Sequence, residues 1–211
     1  MNMGGKVQVR SEETRNRIVQ SALKLFAEKG YDAAGVAEIC SASEVSKGAF
    51  YHHFPIKQAI FLELLKGWLQ GLDAELGKAM ERSSTVPEGL LAMALEMRGV
   101  FSAADGRIQI FLEFWQQARR DPEVWKEFIA PYRRYQEFFA RIVQKGIDEG
   151  SIRPLDAQAA GHTLVALAVG VVVQGVLDPA AAEWDRVTQD AVQLLITGMS
   201  PGKPGRLPDR R

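Results

Sequence analysis

The sequence predicts an all-α fold of nine helices, three short and six longer, and three observations carry that prediction. Apolar residues recur at i, i+3, i+4 and i+7 along most of the chain, and no stretch alternates as a half-buried strand does. Capping residues, prolines and glycines stand where such stretches must start and stop. The composition, 46% hydrophobic and 25% charged over 211 residues with a single Cys, supplies apolar faces for a sizeable core without any disulfide framework.

Each element follows from local chemistry. Residues 1–10 are polar and basic and read as a flexible arm. The first helix runs from Arg15 to Lys29, with Ile18, Ala22, Leu25 and Phe26 on one face, Thr14 as its cap and Gly30 as its stop. A second, of barely two turns, spans about Val36 to Ala42 and turns Ile39 and Cys40 inward. The third begins at Ser46, a natural N-cap, so that Val45 and Phe50 occupy the two positions of a hydrophobic staple, and Pro55 ends it. Phe50 and Phe54 then face inward, while Lys47, Gly48, Tyr51 and His52 share the outward face, a surface suited to phosphates. Long helices follow: Lys57 to about Arg82, a helix opened by the capping box Thr85-Val86-Pro87-Glu88, and Ile108 to Arg119. Three more complete the chain, from Asp121-Pro122 to about Glu149, from Asp156 to Leu177, and from about Glu183 to Gly198. Residues 200–211, rich in Pro, Gly and charge, read as a disordered tail. Three short helices with a capped third, ahead of a larger bundle, is the layout of a DNA-reading head on a separate core.

Composition narrows the function classes. The 26 Lys+Arg balance the 26 Asp+Glu, but residues 1–57 hold eight cations against six anions, a slight basic bias on the head. The longest apolar run, Leu164 to Val173, falls short of a bilayer span, and the N-terminus lacks a secretory signal, so a cytoplasmic protein with no membrane partner is expected. No nucleophile elbow, phosphate-cradling loop or metal-ligand spacing is present, so neither catalysis nor a metal or cofactor is expected. His52 and His53 are adjacent and cannot share one metal from one helix face, and Cys40 reads as a small core hydrophobe.

Between Ile18 and Leu62 the residues Ala22, Leu25-Phe26, Gly30-Tyr31, Ile39, Val45-Ser46-Lys47-Gly48, Tyr51, His53-Phe54 and Lys57 resemble the helix-turn-helix signature of the TetR family of bacterial transcriptional regulators. The resemblance covers roughly a quarter of the chain. It implies a helix-turn-helix domain over residues 11–56 and a six-helix ligand-binding and dimerisation domain over 57–199. It implies that Ser46, Lys47, Gly48, Ala49, Tyr51, His52 and Lys57 meet DNA, with Tyr51 and Lys57 on phosphates. Five positions depart from the family pattern: Gly35, Ser43-Glu44, Ala49 and Ile56. A non-glycine residue at Glu44 faces φ > 0 at about 1 kcal/mol, with its charge near the expected phosphates.

Large side chains at Trp68, Met93, Met97, Phe101, Phe111, Phe114, Trp115, Phe128 and Tyr132 fit the wall of an effector pocket and a plain helical core equally well. The family layout favours a pocket, for a mostly apolar small molecule. The helix from Asp156 to Leu177 is apolar nearly all round, and with the last helix it suits a homodimer interface through Leu164, Leu167, Val169, Val173, Trp184, Leu194 and Leu195. The expected function is a ligand-responsive repressor, homodimeric on a near-palindromic operator. The alternative is a small-molecule-binding or interaction protein of the same fold with weak or no specific DNA binding. Glu113, set between Leu112 and Phe114, suits either a cationic ligand or, more often, an Arg or water at the bundle edge.

Overall fold

The computed structural model describes the backbone of residues 3–103 and 107–202 and the side chains of 8–96, 110 and 113–202. Within these residues the chain forms nine helices and no strand: α1 (Met3–Lys29), α2 (Val36–Ala42), α3 (Lys47–His53), α4 (Lys57–Glu81), α5 (Val86–Ala103), α6 (Arg107–Ala118), α7 (Pro122–Asp148), α8 (Ala157–Leu177) and α9 (Trp184–Met199).

Most helix ends are fixed by the residues that predict them. Asp156 accepts from the amides of Gln158 and Ala159 at 2.9 and 3.1 Å and so starts α8. Asp121 does the same for Glu123 and Val124 ahead of α7, with Pro122 at the first helical position. Gly30 and Gly150 take φ of +84° and +78° and stop α1 and α7. At α5 the box is shifted by one residue, since Glu88 reaches back to the amide of Ser84 while Thr85 accepts from Glu88.

The N-terminus differs from expectation. The helix α1 begins at Met3, so the arm expected over residues 1–10 is helical from there on. Thr14 is no cap. Its hydroxyl donates to the carbonyl of Arg10 four residues back, as it does inside a continuous helix, and nothing between Val7 and Thr14 breaks the helix. The tail beyond residue 202 lies outside the described residues.

Two compact units divide the chain, the first comprising Met1–Gly71 and Ala104–Ile129, the second Leu72–Ala103 and Ala130–Arg211. In the first, Ile18, Ala22 and Phe26 of α1, Ile39 and Cys40 of α2, Phe50 of α3 and Ile60, Phe61 and Leu65 of α4 close around Phe114 of α6. Phe114 stacks on Phe61 with centroids 3.8 Å apart, and Tyr31 meets both edge-on. The compact unit that holds the head therefore extends past residue 56 and includes part of α4 and all of α6. The long α1 and the short α2 and α3 each have one apolar side, and these later segments bury it.

The second unit packs α5 against α9 around Leu90, Met93, Val143, Leu164, Val192 and Ile196. Here α7 and α8 approach backbone to backbone. A Cβ on Gly161 would lie 2.6 Å from the Gln136 carbonyl oxygen and 2.8 Å from the Ala140 nitrogen. By length and composition α8 is apolar enough to cross a membrane, more so than its central run suggests, and 22% of its most apolar window is buried.

Candidate nucleic-acid interface

The turn between α2 and α3 is built from its hydrogen bonds. The amide of Val45 donates to the Cys40 carbonyl at 3.0 Å and that of Glu44 to Ser41 at 3.2 Å, the paired pattern of a Schellman motif. That motif needs one residue in the left-handed region, and here it is Glu44, at φ +54°. Ser43 is buried, its hydroxyl donating to the Ile39 carbonyl at 2.6 Å. Ser46 is extended, and its Oγ accepts the Ala49 amide at 3.1 Å, so α3 starts where the sequence places its cap. Phe50 is fully buried and Val45 packs on the same core, as a staple requires.

On the other side of α3, Lys47, Gly48, Tyr51 and His52 are all exposed, Tyr51 by 50%, and Ala49 is half-buried at the margin. Ile56 adds an exposed apolar side chain just beyond the helix. These residues form one continuous outward surface that carries the exposed Lys47. His53 is half-buried and stands apart from this face. Its imidazole is held below the ordinary histidine range by burial, and further by His52 and Arg15.

Lys57 corrects the sequence reading. Its ammonium donates to the carbonyls of Tyr31, Asp32 and Ala34 at 2.8, 3.3 and 3.3 Å and lies 4.3 Å from the centre of the Tyr31 ring. An ammonium has three N–H groups, and all are used within the fold, so none is left for a phosphate. Burial pushes its pKa down, with Asp32 opposing. Lys57 is a clamp on the α1–α2 turn.

Several residues of this framework carry no distinctive sequence signal. Arg15 donates to Glu63 at 2.8 Å, reaches the His53 carbonyl at 3.4 Å and lies over the Phe54 ring, tying α1 to both ends of the α3–α4 link. At α2 the N-cap is Gly35, which has no side chain to offer. Glu38 supplies half of a capping box from within the helix, accepting the Gly35 amide at 3.2 Å and the Lys29 ammonium at 2.6 Å. Those bonds, the Lys29 one first, hold the Glu38 carboxyl below its ordinary range. Glu113 accepts the Tyr31 amide at 2.6 Å, a partner its apolar flanks do not suggest.

The expected pocket residues are divided. Trp68, Phe114, Trp115 and Phe128 belong to the first unit, where Phe114 and Phe128 are buried in the aromatic core, Trp68 packs on it and Trp115 is exposed. Met93 is core and Tyr132 exposed in the second unit. The side chains of Met97, Phe101 and Phe111 lie outside the described residues. The second unit does carry a groove of about 250 Å³ lined by Leu76, Phe138, Arg141 and a polar knot. In that knot Asp73 receives two bonds from Arg134 and one from the Tyr135 hydroxyl, at 2.7, 3.1 and 2.6 Å.

Among the expected interface residues, Val169 and Leu194 are exposed, by 47% and 74%, and Val173 is half-buried. Leu164 is buried in the core of the second unit, and Leu167 and Leu195 pack partly against it. Trp184 is half-buried and donates from Nε1 to the Asp178 carbonyl, closing the α8–α9 connection.

Comparison with known proteins fits this geometry. Residues 18–64 match the model of bacterial regulatory proteins of the tetR family, and residues 87–197 match the C-terminal domain of BetI-type transcriptional repressors. The HTH-type transcriptional regulator UidR of Escherichia coli K12 is 27% identical over 173 residues, covering 80% of this chain and 85% of UidR. The repressor DhaR of Mycobacterium sp. GP1 is 25% identical over 140 residues, 66% of this chain and 70% of DhaR. A TetR-family regulator from Syntrophomonas wolfei has the same fold, with a TM-score of 0.77 at 22% identity over 91% of this chain and 99% of that one.

Proposed function

This chain belongs to the TetR family of bacterial transcriptional regulators, and from that premise we propose that it is a cytoplasmic, ligand-responsive repressor, homodimeric on a near-palindromic operator. The observation that carries the reading is the outward face of α3. A Ser46-capped, stapled helix presents Lys47, Gly48, Tyr51 and His52 to solvent, a surface that fits a major groove. Lys47 and Tyr51 supply phosphate contacts and His52 reaches base edges. Lys57 acts indirectly, by holding the turn that carries α2.

The apolar, exposed side of α8 and α9 is the surface for a second copy of the chain. The regulator is not an enzyme in this reading. Its effector is a small, mostly apolar molecule, and the support is the family's architecture together with the aromatic residues of the two units.

The rival reading, a binding protein with the fold but little DNA affinity, is favoured by one observation. Glu44 places a strained backbone and an anion in the turn beside the DNA-facing helix. A mobility-shift titration with DNA from upstream of the protein's own gene separates the two. The repressor reading requires a shift that survives competitor DNA; binding no tighter than to random duplex favours the rival.

A further inference from the structure

We propose that Glu113 and Gln117 of α6 are positioning residues for DNA recognition, holding the α1–α2 turn in the place that sets α2 and α3. The proposal rests on the DNA-binding reading above and adds a seat for the recognition helix that lies in α6. Three side chains grip the turn. Glu113 accepts the Tyr31 amide at 2.6 Å, Gln117 donates from Nε2 to both Asp32 carboxylate oxygens at 3.0 Å, and Lys57 holds the Tyr31, Asp32 and Ala34 carbonyls.

Two features separate Glu113 from an ordinary cap. It is an anion at the C-terminal end of α1, the negative end of the helix dipole, where local electrostatics disfavours it. It also lies close against the backbone: a Cβ on Gly30, itself at φ +84°, would lie 3.0 Å from both its oxygens, so a larger residue there would push the carboxylate aside. A contact that electrostatics opposes and geometry maintains is one that a small shift of α6 breaks. From Tyr31 the path to α3 is short and hydrogen-bonded. Gly35 starts α2, Glu38 ties that start to Lys29, and the Schellman turn at Glu44 joins α2 to α3.

The test uses the full chain and two variants. Glu113→Ala removes the acceptor. Glu113→Gln keeps an acceptor oxygen for Tyr31 and turns an NH₂ group toward the carbonyls at the end of α1. Amide exchange without DNA is expected to accelerate about tenfold through residues 43–50 in Glu113→Ala and to stay at the wild-type rate in Glu113→Gln. Faster exchange confined to Tyr31 and its neighbours overturns the proposal, whatever the chain does with DNA. On operators selected from random duplexes and rebuilt with longer or shorter spacers, Glu113→Ala should bind about tenfold more weakly and lose its preference for one spacing. Equal weakening at every spacing marks a merely structural role and also overturns it. A wild type that selects no operator sinks the DNA-binding reading instead, and the exchange result still decides the role of Glu113.

Discussion

At the level of single residues, strain and hydrogen bonding assign roles that residue type alone does not. Glu44 sits at φ +54°, where a side chain costs about 1 kcal/mol relative to glycine. Glu44→Gly is therefore expected to stabilise the chain by about 1 kcal/mol and, by removing an anion beside the DNA, to tighten operator binding; thermal unfolding and a binding titration check both halves. Lys57 and Tyr51 make an opposed pair. Lys57→Met breaks three bonds to the α1–α2 turn and should lower stability by roughly 1–3 kcal/mol, leaving the salt slope of DNA binding unchanged. Tyr51→Ala, at a half-exposed site, should shift stability by less than about 0.5 kcal/mol and weaken DNA binding. A Lys57→Met chain of wild-type stability with a salt slope reduced by one ion would return that lysine to the phosphates. His53 sets a pH dependence. Its folded pKa is lowered, by burial first, so the unfolded chain takes up a proton before the native one does. Stability falls as pH drops below about 6.5, and His53→Gln should flatten that limb in urea titrations at stepped pH. The carboxyls of Glu38 and Glu149, both held low by hydrogen bonds, give their stability above their unfolded pKa and lose it only in more acid solution, below 4.5. The two windows are separable.

Among the helices, the tightest constraint is the approach of α7 and α8 at Gly161. A methyl group there meets two backbone atoms, Gln136 O and Ala140 N, which cannot rotate away as a side chain does. Gly161→Ala is expected to destabilise the second unit by about 1–3 kcal/mol despite alanine's better helix propensity, and Gly170→Ala on the same helix, with open space around it, is the control that should instead stabilise by up to about 1 kcal/mol. A Gly161→Ala chain that unfolds at the wild-type midpoint would mean that the helices separate freely. The same contrast explains what the sequence makes legible. Helix ends were readable because caps are local: Ser46, Asp121, Asp156, Gly30 and Gly150 each act within a few residues of themselves. The start of α1 was misread because Thr14 bonds equally well inside a helix as at its cap. The membership of α6 in the head's compact unit was invisible, since it depends on Phe114 finding Phe61 across a long stretch of chain. The outward face of α3 was legible for the same local reason as its cap. The use of Lys57 was not, because three backbone carbonyls leave no mark in residue identity.

For the whole molecule the open quantity is the number of copies that meet the operator. Apolar surface left in water is unfavourable, yet the 21-residue α8 shows 47% of Val169 to solvent, and 74% of Leu177 at its end and of Leu194 on α9 is exposed. A stable interface buries roughly 800 Å² per partner, and in the homodimer proposed above α8 and α9 of each copy would supply that face around a twofold axis. For the proposed homodimer to read a near-palindromic site, its two α3 helices would have to stand about one DNA turn apart, ~34 Å. Val169→Glu and Leu194→Glu put charges into that seam at positions already exposed in the single chain, so each variant should fold, with unchanged circular dichroism, and be monomeric by light scattering at micromolar concentration. Losing the second head removes the effective-concentration gain, so operator affinity should fall on the order of 100-fold while affinity for an isolated half-site stays the same. The half-site measurement is the control that isolates assembly from damage to the head. A wild type that is monomeric under these conditions, or glutamate variants that remain dimeric and bind the full operator normally, would show that two copies meet elsewhere or not at all, and the exposed side of α8 would then need another partner.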